Sequence, residues 1–553
     1  MQREQFDYVI VGAGSAGCVL ANRLTEDGRH SVLLLEYGGS DRSMFIQMPS
    51  ALSIPMNTER YAWRYHSEPE PKLGGRRIYT PRGKVLGGSS SINGLVYVRG
   101  NAFDFDGWEK QGAEGWGYRQ VLPYFRRAEQ RQEGGDEYRG ASGPLHTCYG
   151  TLRNPLHHAW LAAAREAGYP ATADINGYQQ EGFGRMDMTV QDGRRCSAAN
   201  AYLRPAMRRP NLALRTHALA TRILFDGLRA RGVRYRRGAV EADAIAGREL
   251  ILAAGSINSP QLLKLSGVGP AAELKAHGIP VVHDLPGVGE NLQDHLEFYF
   301  QVACREPITL YSVMNALSKG LIGARWLLRH DGLGATNHFE SCGFIRSRAG
   351  IAYPDIQYHF LPMAVSYDGS NQATQHGFQA HVGPMCSKSR GWVRLASADA
   401  REAPRIQFNY MSHPDDWLDV RACVRLTREI FAQRAFDRYR GDELQPGAAV
   451  QTDEQIDAFI AEKIETAYHP SCSCKMGAND DPEAVVDSRA RVIGLSALRV
   501  VDSSIMPSIT NGNLNAPTIM IAEKVSDLIR GVPPLPAADV RVYRAPNWAQ
   551  TQR

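Results

Sequence analysis

No stretch of this 553-residue chain runs apolar and uncharged for the roughly 20 residues that a membrane-crossing helix requires. A bilayer-spanning segment is therefore not expected. The opening residues, MQREQFDYVIVGAG, lead straight into an apolar strand and lack the charged, apolar and cleavable parts of a signal peptide. The expected compartment is the cytoplasm. Cysteine is sparse, nine in all, and an odd number in a long chain without a secretion signal argues against a disulfide framework. Most cysteines should be small buried hydrophobes. Charge of one sign is also lacking, with 63 Lys and Arg against 58 Asp and Glu and no long basic run. Nucleic acid is not an expected partner. Internal repeats, low-complexity blocks and a clean linker are absent too, so a chain of this length should hold at least two structural units interleaved in sequence.

What the chain does have begins at Phe6. Residues Phe6 to Glu36, FDYVIVGAGSAGCVLANRLTEDGRHSVLLLE, read as strand, glycine turn, helix, strand and acid, the fingerprint of a dinucleotide fold. Gly12 permits the tight turn, Gly14 lets the backbone approach a pyrophosphate, and Gly17 lets the helix pack closely. The helix opening at Ser15 and Ala16 offers unpaired N–H groups and the positive end of its dipole to a phosphate. Glu36 can accept hydrogen bonds from a ribose. Two later units have similar mechanics. In ELILAAGSINSPQLLKLSGVG an apolar strand meets Ala254 and Gly255, then a helix with Ser259-Pro260 at its start. In LRVVDSSIMP and TNGNLNAPTIMIAEKVSDLIRG a strand ending at Asp502 precedes an Asn/Gly loop and a helix opening near Pro517. The simplest assembly brings all three into one domain. Alternating runs such as IQYHFLP and WVRLAS predict strands of a second unit.

A further segment, YTPRGKVLGGSSSINGLVYVRGN, reads as a backbone cradle: Gly87 and Gly88 allow close approach, Ser89 to Ser91 offer hydroxyls, and Asn93 both donates and accepts. With the N-terminal fingerprint, TAYHPSCSCKMG and NGNLNAPT, it resembles the glucose–methanol–choline (GMC) oxidoreductase family along essentially the whole chain. The resemblance implies an α/β protein, a Rossmann-like FAD-binding domain interleaved with an α+β substrate-binding domain containing an antiparallel sheet. The expected divisions are 1–155, 194–296 and 467–531 for the FAD domain, 156–193 and 297–466 for the substrate domain, and 532–553 for a C-terminal arm. Gly12, Gly14, Ser15, Ala16, Gly17, Glu36, Gly87, Gly88, Asn93, Ala254, Gly255, Asp502 and Asn513 are the implied FAD-binding residues. Some members attach FAD through a histidine where this chain has Ile92, which has no nucleophilic nitrogen, so the expected attachment is non-covalent.

The same resemblance makes His469 and Asn513 the catalytic His–Asn pair. Hydride leaves an alcohol carbon readily only when negative charge accumulates on oxygen, so a histidine that takes the hydroxyl proton and an amide that holds the alkoxide suit the reaction. His359 matches a second active-site histidine. Glu297 in QDHLEFYFQ matches the carboxylate that recognises trimethylammonium in choline-oxidising members, and Trp63, Phe339 and Tyr468 fall where aromatic walls are expected. The implied activity is oxidation of choline to betaine aldehyde, with glycine betaine as a further product, by hydride transfer to the flavin. An electron acceptor, quinone or oxygen, is the second partner. A metal is not expected: His469, Cys472 and Cys474 have neither the spacing nor the fourth ligand of a structural zinc site. The resemblance also allows a homodimer and peripheral contact with the inner membrane. HPSCSCKMG and NAPT depart from the HPCGTCKMG and NATT common among choline-oxidising members. Another alcohol, an alkanol or polyether alcohol, and the hydroxynitrile-lyase chemistry of a few relatives stay open.

Overall fold

The computed structural model describes residues 2–365 and 374–553. Strand Gln2–Val11 lies inside a seven-stranded sheet, parallel to Val32–Leu35 on one side and to Val240–Leu252 on the other. All four residues of Val32–Leu35 are buried, as a parallel strand covered on both faces must be. Leu212–Arg215 extends the sheet beyond it. Beside Gln2–Val11, Val240–Leu252 has two further partners: its first half pairs antiparallel with Arg229–Arg237, and its end pairs parallel with Leu498–Val500. The first, middle and last apolar strands read from the sequence thus meet in one sheet. Helices Ser15–Leu24 and Asn515–Arg530 follow two of them and lie side by side, joined by Ser15 Oγ donating to Asn515 Oδ1 at 2.7 Å and by Arg23 forking onto buried Glu523.

The helix of the middle unit, Gly255–Leu265, starts earlier than the Ser259-Pro260 pair suggests, and Pro260 stands inside it. A proline there leaves the carbonyl four residues back without its N–H partner. Ser473 Oγ supplies the replacement, donating to the Ser256 carbonyl at 2.5 Å.

The second sheet is antiparallel, in the order Arg440–Gln445, Leu296–Cys304, Gly377–Pro384, Ile356–Leu361, Ser341–Ile345 and Gly182–Arg185, with Glu465–Thr466 pairing the start of Leu296–Cys304. Alternation sorts its residues. Phe298, Phe300, Tyr358, Phe360, Phe378 and Ala380 join Trp160 of helix Pro155–Glu166 and Phe431 of helix Pro414–Phe431 in one core. Their neighbours Glu297, Gln357, His359, Gln379 and His381 therefore share the other face. Trp392–Arg394, from the WVRLAS run, forms a separate two-stranded ribbon with Arg405–Gln407.

The last residues turn back over both units. The Ala538 N–H donates to the Arg119 carbonyl at 2.8 Å, and buried Arg346 donates to the carbonyls of Trp548 and Thr551 at 3.2 and 2.6 Å. Among the described residues no helix is long and apolar enough to cross a membrane, and all nine cysteines are free thiols.

Candidate active site

One cavity runs from the carboxyl end of Gln2–Val11 to the polar face of the antiparallel sheet. Gly12, Gly14, Ser15, Ala16, Glu36, Gly88, Asn93, Ala254, Gly255, Asp502, Asn513, His469, His359, Glu297, Trp63, Phe339 and Tyr468 all line it. Gly17 and Gly87 stand behind the wall. A Cβ on Gly17 would lie 1.8 Å from the Gly12 carbonyl oxygen, so this glycine sets how closely the helix seats on the turn. Gly87 has φ +86°, and a Cβ there would lie 2.2 Å from Ser91 Oγ, so it shapes the GGSSSIN turn.

The residues of the first end fit a dinucleotide. Gly12 holds φ +101°, the Ser15–Leu24 helix has no side chain capping its N-terminus, and the Cβ position of Gly14 is open, with the Ala253 carbonyl oxygen nearest at 3.9 Å. Glu36 accepts the Ala13 and Gly38 N–H groups, one on each oxygen, at 2.9 and 2.7 Å, which fixes the carboxyl at the strand end. Burial pushes its pKa up to about 7, against the pull of those two N–H groups. Asp502 is buried and ties the middle unit to the last one, accepting from Gly255 N, Ser259 Oγ and Ser504 N. The GGSSSIN turn packs on this end so tightly that a Cβ on Gly88 would sit 2.7 Å from Gly14 Cα.

At the other end His469 and Asn513 meet directly, Asn513 Nδ2 lying 3.1 Å from His469 Nε2. Gln357 Nε2 donates to Asn513 Oδ1 at 3.1 Å, and His359 Nε2 lies 3.3 Å from the same oxygen. With its oxygen so occupied, Asn513 presents its amide N–H to His469, whose Nε2 is then an acceptor. His469 Nδ1 faces His295 Nδ1 at 3.1 Å. Burial is the main cause that holds His469 well below the ordinary imidazole pKa, with the cationic forms of His295 and His359 and the Arg82 guanidinium adding to it. Burial also pushes His359 down to about 4 and His295 to about 3. All three rings are thus neutral near pH 7, the state a proton acceptor needs.

Several residues that shape this end carry no family motif role in the sequence reading. Asp294, just before His295, accepts the backbone N–H of His469 at 2.8 Å, the Thr466 hydroxyl at 2.5 Å and the Tyr410 hydroxyl at 2.5 Å. It thereby braces a turn in which Tyr468 adopts φ +65°, a conformation uncommon for a bulky side chain. Arg82 donates to the Tyr468 carbonyl at 2.6 Å and to Ser89 Oγ at 2.9 Å, linking the histidine turn to the GGSSSIN turn. Burial lowers its pKa to about 10, and Asp294 opposes that shift. The acid in QDH and the arginine in PRGK were visible signals; their partners were not.

The aromatic residues divide. Phe339 packs edge-on to His359 and His381, with centroids 5.8 and 5.4 Å apart, beside Glu297. Trp63 stacks between Tyr37 and Tyr65 at 5.0 and 5.6 Å, next to the Glu36 strand end. Ile92 is buried against Ile46, Ala62 and Val85.

A dinucleotide cradle joined to a neutral histidine and an amide donor defines an oxidoreductase architecture, and comparison with known proteins identifies which one. Two profiles described as GMC oxidoreductase match residues 6–297 and 387–522. The chain belongs to the GMC oxidoreductase family. It is 60% identical over 547 residues to a protein named oxygen-dependent choline dehydrogenase from Brucella ovis, covering 99% of this chain and 100% of that one. Among solved structures it resembles pyridoxine 4-oxidase from Mesorbium loti, with TM-score 0.86 and 30% identity over 95% of this chain and 99% of the other. It also resembles an FAD-dependent oxidoreductase from Chaetomium thermophilum, with TM-score 0.86 and 29% identity over 95% and 99% of the two chains.

Proposed function

We propose that this protein is an FAD-dependent alcohol dehydrogenase that oxidises choline to betaine aldehyde, and the hydrated aldehyde onward to glycine betaine. The observation that carries the substrate is Glu297, a buried carboxylate in the same cavity as His469 and Asn513. Choline's trimethylammonium group donates no ordinary N–H hydrogen bond, so charge and aromatic faces must recognise it. Glu297 and Phe339 supply both. The relative at 60% identity bears a choline dehydrogenase name over its full length, which supports the same reading.

FAD, bound non-covalently along the Gly12–Glu36 unit and the GGSSSIN turn, supplies a two-electron acceptor for hydride. The chain's own residues do the rest. His469 Nε2 takes the hydroxyl proton: burial keeps it neutral, and its lone pair, which accepts the Asn513 N–H in the free site, becomes available as that N–H turns to the substrate oxygen. Asn513 Nδ2 then has an anionic oxygen to donate to, and His359 lies within reach of the same amide. Asp294 keeps the His469 turn from relaxing. Non-covalent attachment follows from Ile92, whose side chain offers no nucleophile; acid precipitation should release the flavin.

Glu297→Gln tests the substrate. The variant should raise the KM for choline by at least about tenfold, as loss of a buried charge partner does. It should change little with 3,3-dimethylbutan-1-ol, choline's neutral isostere. Equal effects on both alcohols, or faster anaerobic bleaching of the flavin by neutral alkanols than by choline in the parent protein, would refute the assignment.

A further inference from the structure

Behind the GGSSSIN turn lies a buried cation, Arg195, with which no carboxylate pairs among the described residues. Its Nε donates to the Ile46 carbonyl at 2.8 Å, and its Nη1 meets the Ser90 carbonyl at 3.2 Å, the Asn93 carbonyl at 2.8 Å and Asn93 Oδ1 at 2.8 Å. Nη2 finds no acceptor among the described residues. Burial lowers the guanidinium pKa to about 9, still above neutral pH, so the charge persists. A buried charge without a partner is costly, and such charges are found where a site uses them. The neighbour through which this one can act is Asn93. Its Oδ1 accepts from Arg195 and from the backbone N–H of Leu95 at 3.1 Å, two groups that can only donate. The amide oxygen therefore faces the arginine, and the NH2 group is the end left for the cavity that Asn93 lines; no described residue accepts from it. This stretch of wall belongs to the reactive end. Ser90 lines the cavity as well, and a Cβ on Gly94 would lie 4.0 Å from Phe339 Cε2, whose ring packs edge-on to His359.

We propose that Arg195 is a positioning residue for the cofactor: it turns the Asn93 NH2 group toward the flavin, and its uncancelled charge favours the reduced, negatively charged ring over the oxidised one. Hydride carries two electrons and one proton into a neutral ring, so the ring gains one negative charge. A guanidinium held one residue behind the wall stabilises that charge across a region from which water is largely excluded, where electrostatic effects reach further than in solvent. It also polarises the amide that it grips, which strengthens the N–H groups at the other end. The other arginine on this turn does not replace it, because Arg82, which donates to Ser89 Oγ, has the carboxylate of Asp294 opposing its charge.

FAD seated along the GGSSSIN turn is a premise taken from the proposed function, and Asn93→Ala tests it apart from the arginine. The quantity to measure is the midpoint potential of the bound flavin, followed by its absorbance against a reference dye in holoprotein. Arg195→Met removes the charge and should lower the potential by at least about 30 mV, a tenfold change in the equilibrium of a two-electron couple. Arg195→Lys keeps the charge and should recover most of that drop. Asn93→Ala removes the donor and should lower the potential with Arg195 still in place. An arginine that only braces the turn would cost the Met variant some Tm and leave the potential of its flavin at the parent value; that result overturns the inference, as does a Lys variant that falls as far as Met. If Arg195→Met releases its flavin or fails to fold, Asn93→Ala decides, and a parent potential there refutes the assignment. An unchanged flavin spectrum and potential in both Asn93→Ala and Arg195→Met would remove the seating of FAD on this turn. A shift in Asn93→Ala beside an indifferent Arg195→Met removes the role of the arginine alone.

Discussion

In the proposed mechanism His469 is the base, and its surroundings disfavour the charged form until a proton arrives from substrate. Three neighbours of potential positive charge and complete burial all push its pKa down, so it is unprotonated at neutral pH and loses that state only when the pH falls through its depressed value. The sign is definite: activity should hold through neutral pH and decline on the acid side, with no loss on raising the pH that originates in this group. Stopped-flow measurement of flavin reduction by choline across pH checks it, and a rate that rises on acidification would contradict the assignment. His469→Ala should slow that step by about 10²–10⁴-fold, the usual contribution of a general base, while leaving FAD bound. Retention matters to the reading. None of the backbone contacts that build the Gly12–Glu36 cradle passes through the imidazole.

At the scale of the element, the Gly255–Leu265 helix shows how a local rule is broken and repaired. Pro260 within it orphans the Ser256 carbonyl, and the Ser473 hydroxyl, more than two hundred positions on, accepts the role of donor. The same serine segment carries Cys472 and Cys474, which are buried, pack in the nucleotide-side core and have thiols that burial makes harder to ionise. Ser473→Ala should therefore destabilise the protein by about 1–3 kcal/mol, the cost of a buried acceptor left unsatisfied. Thermal or urea unfolding of the holoprotein reads this directly. A neutral effect would mean that another donor reaches Ser256. The strands make a complementary point. Runs such as IQYHFLP announce their alternation in the sequence, but which face is core and which is cavity follows from the neighbours at register positions His359↔His381 and Tyr299↔His381.

For the whole molecule, segments far apart in the sequence are tied together by contacts of very long range. Arg82 joins the GGSSSIN turn to the histidine turn, Trp108 Nε1 donates to the Ser508 carbonyl, and the last residues close over Arg346. Arg346 is buried with Glu181, and the Trp548 and Thr551 carbonyls complete its hydrogen bonding. Truncation after Ala545 should leave this guanidinium underbonded and cost about 1–3 kcal/mol. The expected result is a lower Tm with an unchanged KM for choline, since the Glu297 end of the cavity is built from other strands. A truncated protein that melts like the parent would show that solvent replaces those carbonyls without loss.

The sequence alone determined the parts of this protein whose physics is local. The turn at Gly12, the seat at Gly17, the acid closing the second strand and the alternation of the later strands each follow from a few neighbouring residues. Motif resemblance added His469 with Asn513, which the fold brings to 3.1 Å. Only the tertiary structure decided what stands behind those groups. Asp294 and Arg82 stand in the visible runs QDH and PRGK, but nothing in the chain shows their partners, which lie on other strands and turns. A hydrogen-bond donor is assigned by what it faces, and facing is set by strand register and by the packing of two sheets around one cavity. Whether Glu297 faces solvent or is buried was likewise decided by that packing.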